Sequence, residues 1–390
     1  MFDALTLATV LFWASVAMLV YVYAGFPMIV ALWGLCRRRI VLKQPATPTV
    51  SFIVVAFNEA AVIADRIRNI LAFDYPRNRL EVIVASDGST DDTEDIVKAF
   101  AGDGVRLLRF PRRGKIPALN DAAAAATGDV LVFSDANIDC APAALKNLAR
   151  NFSDPSVGGV SGHCSYAVKA GTESSGDGEK LYWSYDSWLK TLESQTGSIV
   201  SAHGALYAVR RSLFQPVADA GVTDDFAVST AVIEQGYRLV YESDARAVEY
   251  TTSEARRELG RRVRLMTRGL RGVWLRRHLL NPLRYGFYSI ALLSHKVLRR
   301  LAPLCLPVLA VSATVLASTG DPLYVAAAAG QLLFYVMAAA GWLLRRRQLG
   351  RLKPLLIPCY YCMANAASAA ALLLFLRGKR INLWHPQRTA

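Results

Sequence analysis

The longest uncharged stretch constrains this chain most. From Ala4 to Cys36 no side chain carries a formal charge, so the segment must be kept from water along its whole length. As a helix it reaches about 50 Å at ~1.5 Å per residue, well past the ~30 Å of bilayer hydrocarbon. It is therefore expected to cross a membrane tilted or kinked, with Pro27 the natural place for a kink. A cleavable leader has a basic start and a short apolar core, whereas here Asp3 comes first and the run is long. The segment reads as a retained anchor.

Three further apolar stretches, residues 301–318, 323–344 and 355–376, are each long enough to cross. Arg37, Arg38 and Arg39 follow the first span, and Arg345, Arg346, Arg347, Arg351 and Lys353 separate the last two. The positive-inside rule puts both clusters, and the polar block between the spans, in the cytoplasm. One conflict follows, because four simple crossings would export a tail carrying Arg377, Lys379 and Arg380. Either the tail tolerates export, or residues 355–376 enter and return without crossing. The location expected is a multi-pass protein of the cell (inner) membrane.

The net charge of +14 raises the question of nucleic acid. Much of the excess, however, sits beside the spans and in one arginine-rich segment, so anionic lipid and a diphosphate are the expected partners, and no nucleic acid. The six cysteines show no metal-binding spacing with histidines, and Cys359 and Cys362 fall inside an apolar run, where packing is their expected role. Oligomeric state is not legible.

Between residues 49 and 281 short β-branched runs alternate with helical patterns, the signature of a parallel sheet with helical crossovers. Strands are expected at 49–56, 80–85, 105–108 and 129–133, with helices at 59–71, 91–100, 116–126 and 142–151. Ligands of such sheets bind at the carboxyl ends of the strands, and Asp87 and Asp135 stand at the ends of the second and fourth. A third acidic site, Thr223-Asp224-Asp225, precedes a helix. Each alone reads as a turn or a helix cap; three acids, each at an element end, are hard to explain by capping. The second half is less regular, with a polar glycine-rich loop at 171–178 and then Trp183, Tyr185 and Trp188 on a helical stretch. Trp183 and Trp188 are assigned to packing or to the membrane rather than to a site.

With these motifs in view, the chain resembles the family 2 inverting glycosyltransferases, in particular membrane polysaccharide synthases related to cellulose, hyaluronan and chitin synthases, from about Val50 to Leu270. The resemblance implies an α/β GT-A (Rossmann-like) catalytic domain plus α-helical transmembrane segments. The division expected is an anchor over 1–36, the GT-A domain over 49–254, amphipathic interfacial helices over 255–300, membrane segments over 301–376 and a basic tail over 377–390. Phe57-Asn58-Glu59 corresponds to the family's first motif. Asp87, with Ser86 replacing a preceding Asp, is implied to contact the nucleotide. Asp135-Ala136-Asn137 stands where the family has its Asp-x-Asp metal motif, which implies Mg²⁺ or Mn²⁺ on Asp135 and Asn137. Thr223-Asp224-Asp225 matches the catalytic motif, so Asp225 inherits the general-base role with Asp224 beside it. Arg261-Arg262-Val263-Arg264-Leu265 stands for a Gln/Arg-x-x-Arg-Trp motif with the Trp lost, and implies a diphosphate contact for Arg261 and Arg264. Lys115, after Arg112-Arg113-Gly114, is a diphosphate candidate or part of a solvated basic loop. His203 and Gly204 resemble an acceptor-side loop, His203 being equally open to a structural role. The neutral Asn137 should hold a divalent cation less strongly than a carboxylate, and Leu265 offers no aromatic platform.

Independently of any family, Arg257, Arg261, Arg264, Arg268 and Arg271 recur at steps of four and three, with Leu259, Val263, Met266, Leu270 and Val273 roughly opposite. An amphipathic helix at the membrane surface is expected, its arginines facing headgroups or a diphosphate. The expected activity is transfer of a sugar from a nucleotide-diphosphate sugar, as a UDP-sugar, to a glycan acceptor in polysaccharide synthesis. The alternatives are single-sugar transfer to polyprenyl phosphate or another lipid-linked acceptor, and a non-catalytic sugar-nucleotide-binding scaffold or transporter.

Overall fold

The computed structural model describes residues 3–168, 176–251, 255–345 and 347–379. Most of the glycine-rich loop, the side chains of Trp183 and Arg257, Arg346, and the basic tail from residue 380 lie outside the described residues. Eight strands form one sheet: β1 (Val50–Ala56), β2 (Leu80–Asp87), β3 (Val105–Phe110), β4 (Val130–Ser134), β5 (Ile138–Cys140), β6 (Val157–Val168), β7 (Tyr207–Arg210) and β8 (Arg238–Thr251). Their order is β3-β2-β1-β4-β7-β6-β8-β5. The four strands expected from the sequence form the parallel half, with the expected helical crossovers. The sheet as a whole is mixed, because β7 runs antiparallel to both β4 and β6, and β5 runs antiparallel to β8.

β1 shows why the parallel half reads as an unbroken apolar run. Phe52, Val54 and Ala56 enter one core, Ile53 and Val55 the other, because successive side chains point to opposite faces and helices cover both. The other half defeats that signature: β6 begins Val157-Gly158-Gly159, and β8 carries charged residues. Gly158 and Gly159 are packing requirements, since a Cβ would meet Val232 and Leu213 at 2.7 and 2.6 Å from Gly158, and Leu239 at 2.8 Å from Gly159.

Among the described residues, four helices are long and apolar enough to cross a membrane: Ala4–Cys36, Phe287–Ala317, Pro322–Leu343 and Lys353–Leu376. The second begins well before residue 301, so the boundary placed at 300 falls inside one helical run. The first contains a π-helical turn, Tyr21–Gly25, just before Pro27. Pro27 has no N–H for the Tyr23 carbonyl four residues back, and the Tyr185 hydroxyl donates to that carbonyl instead, at 3.2 Å. The first two helices pack antiparallel along their length: Tyr21 bonds Ser294 at 2.7 Å near the soluble domain, and Phe12 meets Ala313, Leu316 and Tyr324 far from it.

The last helix takes a different course. Its start lies at the end of the third, where a Cβ on Gly341 would sit 2.4 Å from the Leu355 carbonyl. Its later part reaches the middle of the second, Ser368 donating to the Arg300 carbonyl at 3.2 Å. Along the way it accompanies the arginine helix Ala255–Leu275 through Arg262–Tyr360, Thr267–Ala371 and Trp274–Phe375.

Of the two directions open to the arginine stripe, the described side chains take the one toward the domain. Arg268 donates to the carbonyls of Ala220 and Val222, Arg271 pairs with Asp219 at 2.5 Å and Arg261 with Glu249 at 2.6 Å. The described part of the stripe thus faces the soluble domain, where fixed carbonyls and carboxylates satisfy guanidinium donors that lipid headgroups would otherwise have to meet.

Candidate active site

The carboxyl ends of β1, β2, β3 and β4 open on one side of the sheet, and the loops there hold most of the motif residues. Asn58 adopts φ 52°, one of few conformations open to a short amide side chain in the left-handed region. Its Oδ1 accepts from the Thr90 N–H at 2.8 Å, and its own N–H donates to Ser89 Oγ at 3.1 Å, so the β1 and β2 loops are tied together. Phe57 carries the Arg112 guanidinium over its ring at 3.4 Å, and Glu59 is buried. Asp87 is fully buried: its carboxylate accepts from the Arg113 and Gly114 N–H groups at 2.8 and 2.9 Å and from the Arg112 guanidinium. The geometry gives Asp87 the task of ordering the Arg112–Lys115 loop. Gly88 lets that loop approach, since it adopts φ +72° and a Cβ there would lie 2.7 Å from the Arg112 nitrogen.

Lys115, the first residue of helix Lys115–Ala125, bridges two motifs that are far apart in sequence. Its Nζ lies 2.7 Å from Asp135 Oδ1 and 3.1 Å from Asp224 Oδ2. Burial works against its charge, but the two carboxylates outweigh burial and hold its pKa above the ordinary lysine range. The solvated-loop alternative for Lys115 is thereby set aside. Asp135 and Asn137 remain half-buried beside it.

Asp224 and Asp225 open the helix Asp224–Glu234, where backbone N–H groups and the helix dipole favour negative charge. Their environments differ. Asp224 faces Lys115 and accepts from the Tyr207 hydroxyl at 3.3 Å; burial would raise its pKa, yet Lys115 holds it below the usual carboxylate range. Burial and the charge of Asp224 push Asp225 the other way, above that range. One acid is locked as a carboxylate and its neighbour is poised to exchange a proton, the divergence that separates roles in acid–base sites.

The His203–Gly204 loop lies against this pair. A Cβ on Gly204 would be 3.7 Å from Asp225 Oδ2, so glycine keeps the space before that carboxylate open. His203 donates its backbone N–H to Ser161 Oγ at 3.1 Å and accepts from the Ala205 N–H at 3.2 Å through Nδ1. Burial, then the cations Lys190, Arg261 and Lys296, push its imidazole down to about 3, so it is neutral. Its position beside Asp225 comes with an evident structural duty. Ser134, at the end of β4, accepts from Arg66 at 2.8 Å and donates to the Ala205 carbonyl at 2.5 Å, which fixes the loop against the sheet.

Of the two arginines singled out from the motif, Arg261 is paired with Glu249. Arg264 is half-buried and makes no hydrogen bond or ion pair among the described residues, while burial and then Arg268 and Arg261 depress its pKa. A guanidinium so placed favours an anion. Three contributors were not anticipated: Tyr207, a strand residue without local signal; Arg268, a member of the arginine stripe not assigned to the site; and Lys296, within the segment read as amphipathic interfacial helices. Of the three, only the spacing of Arg268 gave a cue.

Lys115 and the half-buried Arg264 offer cationic groups to an anion, and Asp225 can take a proton. A family model described as Glycosyl transferase family 2 matches residues 51–217, and one described as Glycosyl transferase family group 2 matches 135–344. The chain is 28% identical over 203 residues to the poly-beta-1,6-N-acetyl-D-glucosamine synthase of Staphylococcus aureus (strain COL), covering 50% of this chain and 48% of that protein. It is 31% identical over 173 residues to the beta-monoglucosyldiacylglycerol synthase of Nostoc sp. (strain PCC 7120 / SAG 25.82 / UTEX 2576), covering 43% and 37%. The chain thus spans at most about half the length of these curated relatives. Among solved structures, mannosyltransferase PcManGT from Pyrobaculum calidifontis in complex with GDP-Man and Mn²⁺ aligns over 95% of this chain and 100% of its own, with a TM-score of 0.69 and 26% identity.

Proposed function

Since the chain belongs to the family 2 glycosyltransferases and its soluble domain has their GT-A fold, we propose that it transfers a hexosyl group, with inversion, from a nucleoside diphosphate sugar to an acceptor hydroxyl at the membrane face. The observation that carries this reading is the split between Asp224 and Asp225 beside the opening at Gly204. In this reading the acceptor hydroxyl lies within hydrogen-bond reach of Asp225, which takes its proton as the new bond to the anomeric carbon forms. The bond from that carbon to the diphosphate breaks on the opposite face, and Lys115 and Arg264 stabilise the charge that grows on the leaving group.

A divalent cation fits the donor set. Asp135 offers a carboxylate and Asn137 a carbonyl, both hard oxygens. Among the described residues no three His, Cys, Asp or Glu side chains gather as a metal site, so the diphosphate itself would complete the coordination. When bound, the ion would neutralise the departing diphosphate. Mn²⁺ accompanies GDP-Man in the mannosyltransferase structure, which supports the same class of ion here.

The soluble domain is read as cytoplasmic in a multi-pass protein of the inner membrane, because Arg37–Arg39, Arg345 and Arg347 border the spans on the domain's side. The course of the last helix beside the arginine helix supports the arrangement in which it does not cross, which keeps Arg377 and Lys379 on that side as well. The purified protein in detergent, incubated with UDP-glucose, UDP-N-acetylglucosamine, UDP-galactose, UDP-glucuronate and GDP-mannose, should release nucleoside diphosphate from one of them. Binding without release across the panel would favour the scaffold reading.

A further inference from the structure

The first span and the soluble domain enclose a cavity of about 660 Å³ that serves none of the chemistry above. Its walls are the end of helix Ala4–Cys36, the residues that follow helix Gly176–Thr196, the end of helix Asp224–Glu234 and the start of the run Phe287–Ala317. Tertiary contacts fix its shape. Trp33 and Phe287 stack at one side, ring centres 5.1 Å apart and planes within 4°. Arg238 is buried and donates to the carbonyls of Ser194, Gly197 and Arg39 at 3.1, 2.9 and 3.0 Å, while the Arg39 N–H donates to the Gln195 carbonyl at 2.7 Å. The chain that follows the first span is thereby clamped to the domain where it passes the cavity.

The cavity carries charge of one sign. Arg37, Arg38, Arg39 and Arg284 line it, all of them exposed, and among the described residues no acid joins them. None of the four side chains has a hydrogen bond or ion pair among those residues, and Arg284 lies over the Tyr285 ring at 5.3 Å. Four like charges on one rim repel, and an anion held among them removes that cost while accepting from several guanidinium forks. The nearby helix end does not compete for those donors, because the Val232 and Ile233 carbonyls already accept from the Tyr237 and Gly236 N–H groups at 3.1 and 3.0 Å. The volume falls within the roughly 300–1,000 Å³ of small-molecule sites.

Its depth identifies the source of that anion. At about 50 Å the first helix spans the ~40–45 Å of a bilayer with both headgroup layers, so its domain-side end lies at headgroup level. Apolar side chains stay uncovered there, Leu35 at 82% and Leu283 at 97% exposure, and Trp33 and Tyr285 are side-chain types that settle at that boundary. The acid pair is elsewhere: Ile233 lines the cavity from the last turn of the helix whose first turn carries Asp224 and Asp225, roughly 12 Å along its axis at ~1.5 Å per residue. We propose that the cavity binds the headgroup of an anionic phospholipid, a bound lipid that is neither donor nor acceptor and that ties the first span to the soluble domain. Its phosphodiester lies among Arg37, Arg38, Arg39 and Arg284, as basic pockets beside membrane helices hold anionic headgroups. Its acyl chains follow the uncovered face of the first helix at Leu32 and Leu35. Such a site needs neither the donor nor the acid pair.

The test uses the full chain in detergent micelles titrated with phosphatidylglycerol or phosphatidylcholine. Wild type is compared with the triple variant Arg37→Gln, Arg38→Gln, Arg284→Gln, and with a control, Arg345→Gln, Arg347→Gln, Lys353→Gln, that removes as many exposed cations beside other spans. Lipid bound per chain is counted by native mass spectrometry, and the thermal midpoint is followed with and without lipid. Wild type should retain one phosphatidylglycerol in preference to phosphatidylcholine, and its midpoint should rise with it. The cavity variant should weaken that binding at least tenfold and lose the rise, while its lipid-free midpoint is unchanged because the three side chains are exposed. The control should bind within twofold of wild type. Equal retention of the two lipids by wild type, or equal loss of binding in the cavity variant and the control, overturns the proposal. Displacement of the lipid by sn-glycerol 3-phosphate at matching concentration would make the cavity a site for a soluble anion and overturn the bilayer as its source.

Discussion

Asp225→Asn is the most searching perturbation of the site, because it conserves volume and removes only the ability to take a proton. The Phe226 N–H that donates to Asp225 Oδ1 at 2.7 Å can donate equally to an amide oxygen, so the start of helix Asp224–Glu234 should stay in place. Loss of a general base costs on the order of 10²- to 10⁴-fold in rate, which is about 2.7 to 5.4 kcal/mol at the transition state at ~1.36 kcal/mol per decade. With a hydroxyl acceptor and saturating donor, kcat should fall by that range while equilibrium binding of the nucleotide sugar is unchanged. The neighbouring substitution supplies the control. Asp225 must be ionised to act, and burial and the Asp224 charge raise its pKa, so activity should be lost as pH falls through a value above the ordinary carboxylate range. In Asp224→Asn that charge is gone, and the acid limb of kcat/KM should move to lower pH, together with some weakening of the Lys115 loop. Near-normal turnover by Asp225→Asn on a hydroxyl acceptor, or an acid limb that Asp224→Asn leaves in place, would refute the assignment.

Arg264→Ala should reduce turnover at least tenfold, about 1.4 kcal/mol, with membrane association intact. Arg271→Ala should be far milder because Asp219 already engages that side chain; equal small losses that track anionic lipid content would leave only a surface role. Asn137→Asp should lower the Mn²⁺ or Mg²⁺ concentration for half-maximal activity, since a second carboxylate strengthens a hard-cation site; an unchanged metal titration would mean that residue 137 does not face the ion. Gly204→Ala places a methyl 3.7 Å from Asp225 Oδ2, an ordinary contact, so the thermal midpoint should hold while KM for the acceptor rises severalfold; an unchanged KM would show that the acceptor approaches from elsewhere.

By itself the sequence determined whatever has a short period or a local motif. An uncharged run longer than a bilayer is thick, buried parallel strands without polar interruptions, and acids at the ends of those strands all leave such marks, and the membrane helices, the β1–β4 half-sheet, Asp135 and the Asp224–Asp225 pair were legible from them. What depends on contact between distant segments was decided only by tertiary structure. β6, β7 and β8 carry glycines and charges whose partners lie on other strands, so no alternation betrays them. The stripe of arginines is a fact of one helix, but its direction depends on the carbonyls of Ala220 and Val222 and the carboxylate of Asp219 waiting on the domain. Likewise, two adjacent aspartates look alike in sequence; they become different acids because Lys115, 109 positions away from Asp224, approaches only one of them, and an ionic interaction is set by distance in space and by burial, neither of which sequence order records.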